Sequence, residues 1–147
     1  MKLYTIGFTQ KSAKQFFELI RNNDIEILID IRLNNQSQLA GFSKGRDLEI
    51  FLSEICDCKY AHEPVFAPTK ELLNDYKHGN INWDEYEVIF KKIMDERKIE
   101  CRFKEKYGMY SKVCLLCSEV EANKCHRRLI AERIRDTSDI NIQIKHI

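Results

Sequence analysis

The chain has 147 residues, which suits one domain whose hydrophobic core can hold itself together without disulfides or structural metals. Its 44% hydrophobic and 32% charged residues are those of a globular protein, and a net charge of +1 lacks the basic excess of a dedicated nucleic-acid binder. No apolar stretch is long enough to cross a bilayer. Met1 to Gly7 runs straight into a strand-like pattern without a leader's apolar region, so the expected location is the cytoplasm. In such a chain the six cysteines (Cys56, Cys58, Cys101, Cys114, Cys117 and Cys125) read as buried thiols, metal ligands or a reactive thiolate rather than a disulfide framework.

In chain order, Leu3 to Ile6 reads as a first strand, ended by Gly7. Ser12-Ala-Lys-Gln15 has the capping-box pattern, and Phe16, Phe17, Leu19 and Ile20 recur at helical spacing until Asn22-Asn23. Ile25 to Ile31 is a nearly continuous aliphatic run, expected as a central strand covered on both faces. Leu33 to Arg46 follows as a long polar loop, then a helix over Asp47 to Ile55 and a short strand over Lys59 to His62. Pro64 and Pro68 break regular structure, Thr69 caps a helix to about Lys77, and Asn82-Trp-Asp-Glu85 opens another running to Arg97. A strand over Lys112 to Leu116, a helix over Cys125 to Arg135 and a strand over Ile140 to Ile144 complete the chain. The order predicts one α/β domain over residues 1–147: an open, mostly parallel sheet of about five strands with helices on both faces.

Open α/β sheets bind ligands outside the carboxyl ends of their strands. Four strands deliver polar residues to that edge: Thr5, Gly7 and Phe8; Asp30 and Arg32; Tyr60 and His62; Cys117 and Glu119. Asp30 interrupts an aliphatic run, so its carboxylate needs a partner, either Arg32 or a ligand. The most specific feature is Cys117-Ser118-Glu119 leading to a helix start at Cys125-His126-Arg127-Arg128. A helix N-terminus attracts anions, and cationic side chains there make sense around a phosphate, a carboxylate, or an internal anion such as Glu119 or Asp30. The same field favours a thiolate at Cys125, while a capping or buried cysteine remains the plainer reading. Cys114 is three residues from Cys117 on a strand, so the two point to opposite faces and Cys114 belongs to the core. Cys101 reads as structural. Ser37, Phe42 and Lys44 are the contact residues expected from the 33–46 loop, and Trp83, Tyr86 and Phe90 are expected to pack in the core.

Tyr4-Thr-Ile-Gly7, Leu28-Ile-Asp-Ile-Arg32, Tyr60 with His62, Trp83 with Tyr86, and Leu115-Leu-Cys-Ser-Glu119 with Cys125-His-Arg127 together resemble the domain of unknown function 488 family. The resemblance covers nearly the whole chain and implies a compact α/β domain of bacteria and archaea, with no established activity. The chain departs from the family pattern at Phe8, at Gln36-Ser37-Gln38 and at Glu63 to Pro68.

Three functions follow as expectations. The first is an enzyme or ligand-binding domain for an anionic, phosphate-bearing small molecule. In it Arg127 and Arg32 hold the anion, with Thr5, Gly7, Tyr60, His62 and Ser37 lining the site. Cys125 or Cys117 supplies the thiolate, His126 or His62 moves protons, and Glu119 or Asp30 orients them. The second is a metal-dependent sensor or binding module with Cys117, Cys125 and His126 as ligands. The third, disfavoured by the net charge, is an accessory protein of nucleic-acid metabolism with Arg127, Arg128, Arg133 and Arg135 as its basic face. The residues identify no cofactor.

Overall fold

The apolar segments of the sequence become five strands: β1 (Lys2–Gly7), β2 (Ile27–Asp30), β3 (Lys59–His62), β4 (Lys112–Cys117) and β5 (Gln143–His146). All pair in parallel, in the order β3-β2-β4-β1-β5. The computed structural model describes residues 1–36, 40–119 and 121–147. Every residue of β2 is buried, as its unbroken aliphatic run requires of a central parallel strand. The last strand starts three residues later than its apolar alternation suggests, because Ile140 is exposed while Ile142 packs in the core.

Helices cover both faces. α1 (Ala13–Asn22) and α2 (Gly45–Cys56) pack Phe16, Phe17, Ile20, Leu48 and Leu52 against Tyr4, Ile6, Leu28, Cys114 and Leu116. On the other face α3 (Lys70–Lys77), α4 (Trp83–Arg97), α5 (Ile99–Tyr107) and α6 (His126–Thr137) cover Leu3, Ile29, Ile31, Val113, Leu115 and Cys117. The strand period of two therefore sends Cys114 and Cys117 to opposite cores, as expected.

The capping boxes form as their sequences dictate. Ser12 and Gln15 exchange hydrogen bonds at the start of α1, and Asn82 and Glu85 do so at the start of α4. The polar loop after β2 is shorter than expected, with a 3-10 turn at Gly41–Ser43 leading directly into α2. Phe42 packs against Phe16 and Phe17. Ser37 lies outside the described residues.

Helix α5 is an element the sequence reading leaves unassigned. It follows α4 through Lys98 alone, held in the left-handed region at φ 48°. Its buried stripe is Ile99, Phe103 and Tyr107, and Cys101, expected to be structural, sits on its exposed side. Glu63, just past β3, ties this helix down. Its carboxylate accepts from Arg102 Nε at 2.7 Å, Lys106 Nζ at 2.6 Å and Tyr107 Oη at 2.8 Å. Burial pushes the Glu63 carboxyl up, but the three donors outweigh it and hold the group below the usual carboxylate range.

Candidate active site

β4 lies between β2 and β1. Both neighbours continue into α1 or α2 on one face, whereas β4 continues into α6 on the other. Chains leaving adjacent strands in opposite directions open a crevice at the carboxyl edge of a parallel sheet. Cys117, the last residue of β4, stands at that point, beside Gly7 of β1.

Cys125 occupies the N-cap of α6, and its sulfur accepts the Arg127 backbone N–H at 3.5 Å, where a hydroxyl or carboxylate usually caps. The loop from 118 to 124 thereby returns Cys125 to Cys117. The two sulfurs are 2.9 Å apart, both are free thiols, and both are buried. Arg127, from the first turn of α6, is also buried. Its Nη1 donates to the Cys117 sulfur at 3.2 Å and to the carbonyl oxygen of Glu119.

These contacts decide where negative charge rests. Burial raises the Cys117 thiol. The hydrogen bond from Cys125, the Arg127 guanidinium and the Glu119 backbone N–H pull it down further than burial lifts it. Cys125 moves the opposite way, first because its proton bonds the Cys117 sulfur and then because it is buried. The two sulfurs thus differ in tendency: Cys117 is drawn toward the ionised form and Cys125 is held as the thiol. The Arg127 side chain acts on Cys117, while its backbone N–H caps on Cys125.

Gly7 makes this geometry possible. A Cβ there would overlap the Glu119 carbonyl and lie 2.5 Å from Arg127 Nη1, so only glycine lets the guanidinium cross the end of β1. One turn of pleat below, Thr5 is fully buried, and its Oγ1 bonds His146 Nδ1 of β5 at 2.5 Å.

His126 sits beside the thiols. Its Nε2 donates to the Ile31 carbonyl at 3.0 Å, which leaves Nδ1 as an acceptor 3.9 Å from the Cys125 sulfur. Its ring meets Phe90 edge to face, and Tyr86 is packed nearby, both in the core as expected. Burial lowers the imidazole to about 4, the Ile31 hydrogen bond opposing and Arg127 assisting. An unfolded histidine titrates near ~6.5, so between about pH 6.5 and about pH 4 the unfolded chain binds a proton that the folded chain refuses. His126 therefore lowers stability as the pH drops through that window, by roughly a few kcal/mol in all, and contributes no slope above it. Urea unfolding of the wild type and of His126→Gln across the window checks this, and parallel pH slopes would refute it.

The other polar residues of the edge form a separate group on the α1/α2 face. Asp30, between Ile29 and Ile31, points away from the thiols. Its carboxylate takes Arg32 Nε at 2.8 Å, Arg32 Nη2 at 2.6 Å and the Tyr60 hydroxyl at 2.7 Å. Asn35 Nδ2 donates to the Tyr60 oxygen at 3.0 Å, and Arg32 Nη2 also donates to the Ser43 carbonyl at 2.6 Å. The guanidinium lies 5.2 Å from the centre of the Phe8 ring. His62 donates from Nε2 to the Arg32 carbonyl at 2.8 Å. Burial and the Asp30 carboxylate both raise the Tyr60 phenol. The sheet itself thus separates Asp30, Arg32 and Tyr60 from Cys117, Cys125, Arg127 and His126.

Glu119 joins the site through its main chain, and its side chain is exposed. Cys117 and Cys125 adjoin, with His126 beside the second, yet among the described residues no group of three or more His, Cys, Asp or Glu side chains is arranged to hold a metal ion. Lys11, from the loop after β1, is a rim residue the sequence reading misses. Burial lowers its ammonium and Arg127 adds to the effect, while the Cys117 charge pulls it back up. No local motif marks it, because only the folded path of that loop brings it near the site.

Nothing among curated proteins or solved structures matches the chain. The family model described as Domain of unknown function DUF488 matches residues 12–134, a span that includes Asp30, Cys117, Cys125 and Arg127. The chain, with its five-stranded parallel sheet and its cysteine-arginine edge, therefore belongs to the family of domain of unknown function 488.

Proposed function

We propose that the domain works through a thiol-based site at the carboxyl edge of the sheet, with Cys117 as the reacting sulfur. The observation that carries this reading is Arg127 Nη1 at 3.2 Å from a Cys117 sulfur whose other flank, at 2.9 Å, is the thiol of Cys125. A cation, a backbone amide and a thiol proton all directed at one sulfur stabilise negative charge on it, and thiolates, not thiols, are nucleophiles. The anion held at this helix start is therefore the sulfur itself, together with charge that develops on a group it attacks. His126 Nδ1, an acceptor 3.9 Å from the Cys125 sulfur, orients that thiol.

The nucleic-acid reading gains nothing from the helix it invokes. Arg128 pairs with Glu87 and Glu132, Arg133 with Asp95 and Glu100, and Arg135 with Asp136. No helix is long and apolar enough to cross a membrane, within the described residues.

The test is the ultraviolet absorbance of thiolate against pH. The wild type is expected to show a thiolate at neutral pH that is missing from Cys117→Ser and that ionises at higher pH in Arg127→Met. A wild type that ionises only with ordinary thiols, or a neutral-pH signal that survives in Cys117→Ser, would sink the proposal.

A further inference from the structure

From the juxtaposition of Cys117, Cys125 and Arg127 we infer a specific activity that rests on the reading above: the two cysteines form a dithiol that reduces a small hydroperoxide and closes to a disulfide. The sulfurs are 2.9 Å apart across a loop of seven residues, close enough to bond through small side-chain adjustments. Both are buried, which excludes a bulky protein disulfide as the oxidant and admits a compact one.

The reaction balances with the groups at the site and the hydroperoxide. The Cys117 thiolate attacks the terminal oxygen of the hydroperoxide, the sulfur–oxygen bond forms and the O–O bond breaks. The departing alkoxide, or hydroxide from hydrogen peroxide, is stabilised by the Arg127 guanidinium and takes a proton from solvent, equal to the one Cys117 released on ionising. Cys117 is then a sulfenic acid. Cys125 then attacks Cys117, its sulfur already in contact with it. The S–O bond breaks, and the hydroxide leaves as water with the proton that Cys125 gives up. In sum, two thiols and one hydroperoxide give one disulfide, one alcohol and one water. The thiols lose two electrons and the peroxide bond gains them. A small-molecule dithiol, oxidised in turn, restores the pair.

Two features separate this pair from the other cysteines. Cys56, Cys58 and Cys114 belong to the other core, where burial raises their thiols. Cys101 is exposed, with no such set of donors around its sulfur among the described residues. A resolving thiol in contact with the sulfenic sulfur also protects it from the irreversible steps of the oxidation ladder.

The experiment treats the reduced full chain with one equivalent of hydrogen peroxide at neutral pH and maps its peptides by mass. The expected product is a Cys117–Cys125 disulfide with two thiols lost per chain, formed about tenfold or more faster than any oxidation of Cys101, since a thiolate held by a cation is the faster nucleophile. In Cys125→Ser, a sulfenic acid at Cys117 should be trapped by dimedone. Oxidation that begins at Cys101, or thiol loss without that disulfide, overturns the inference; the wild-type map decides this even if the variant fails to fold. If the neutral-pH thiolate is present and the disulfide is not, the peroxide activity alone is refuted. If both are missing, the thiol site falls with it.

Discussion

Asp30→Asn is expected to lower folding stability by about 3–5 kcal/mol, the range for breaking a buried ion pair from one side. Arg32 and Asp30 are 3% and 0% exposed and are joined by two charge-assisted hydrogen bonds, so the variant strands a guanidinium with no carboxylate. The Tyr60 hydroxyl loses a charged acceptor at the same time. The double variant Asp30→Leu with Arg32→Met removes both charges and should recover a large part of the loss, because apolar replacement of a whole buried pair is often neutral or better. Urea unfolding of the wild type and both variants measures the difference. A single variant within about 1 kcal/mol of wild type would mean that water reaches the pair. Because the group faces away from the thiols, a folded Asp30→Asn should leave the thiolate absorbance titration as in the wild type.

Gly7→Ala has its largest effect at the site itself. The added methyl cannot coexist with the present Glu119 carbonyl and crowds Arg127 Nη1, so the loop and the guanidinium must both move. Overpacking of this kind costs about 1–3 kcal/mol. The more informative result is chemical. As Arg127 and the Glu119 amide leave the Cys117 sulfur, its ionisation should rise by roughly one pH unit or more. Thiolate absorbance against pH reads that shift directly. An unchanged titration in a folded Gly7→Ala would show that neither donor sets the charge on Cys117.

The contrast between these two substitutions marks what the sequence could and could not convey. Capping boxes at Ser12 and Asn82 and the run from Ile25 to Ile31 are local signals, and each element formed where they stand. That Cys117 and Cys125 lie at the same edge was also legible, from a strand end and a helix start joined by a short loop, but the contact between their sulfurs was not. The partition of the edge was not. Alternation tells which residues of one strand share a face, but relating Asp30 to Cys117 requires knowing that β4 inserts between β2 and β1. Without that order, Arg32 and Arg127 look like two arms of one clamp, whereas the sheet stands between them. Helix α5 escaped for a different reason. Its stripe of Ile99, Phe103 and Tyr107 is diluted by charged residues, and the break before it falls on Lys98, a residue that carries no stop signal. The field of the helix start pointed to Cys125 as the ionised sulfur, whereas Arg127 reaches Cys117 and Cys125 is raised, a choice that only the folded position of the guanidinium could make.

The sheet closes on short rims. Its border strands, Lys59–His62 and Gln143–His146, are four residues each, and both carry a lysine and a histidine. Parallel borders present unpaired backbone groups that invite another chain to extend them, and brevity with cationic side chains is the usual defence. A domain edged this way resists open-ended strand addition, so a second molecule that associates with it has better purchase on a helical face than on the sheet.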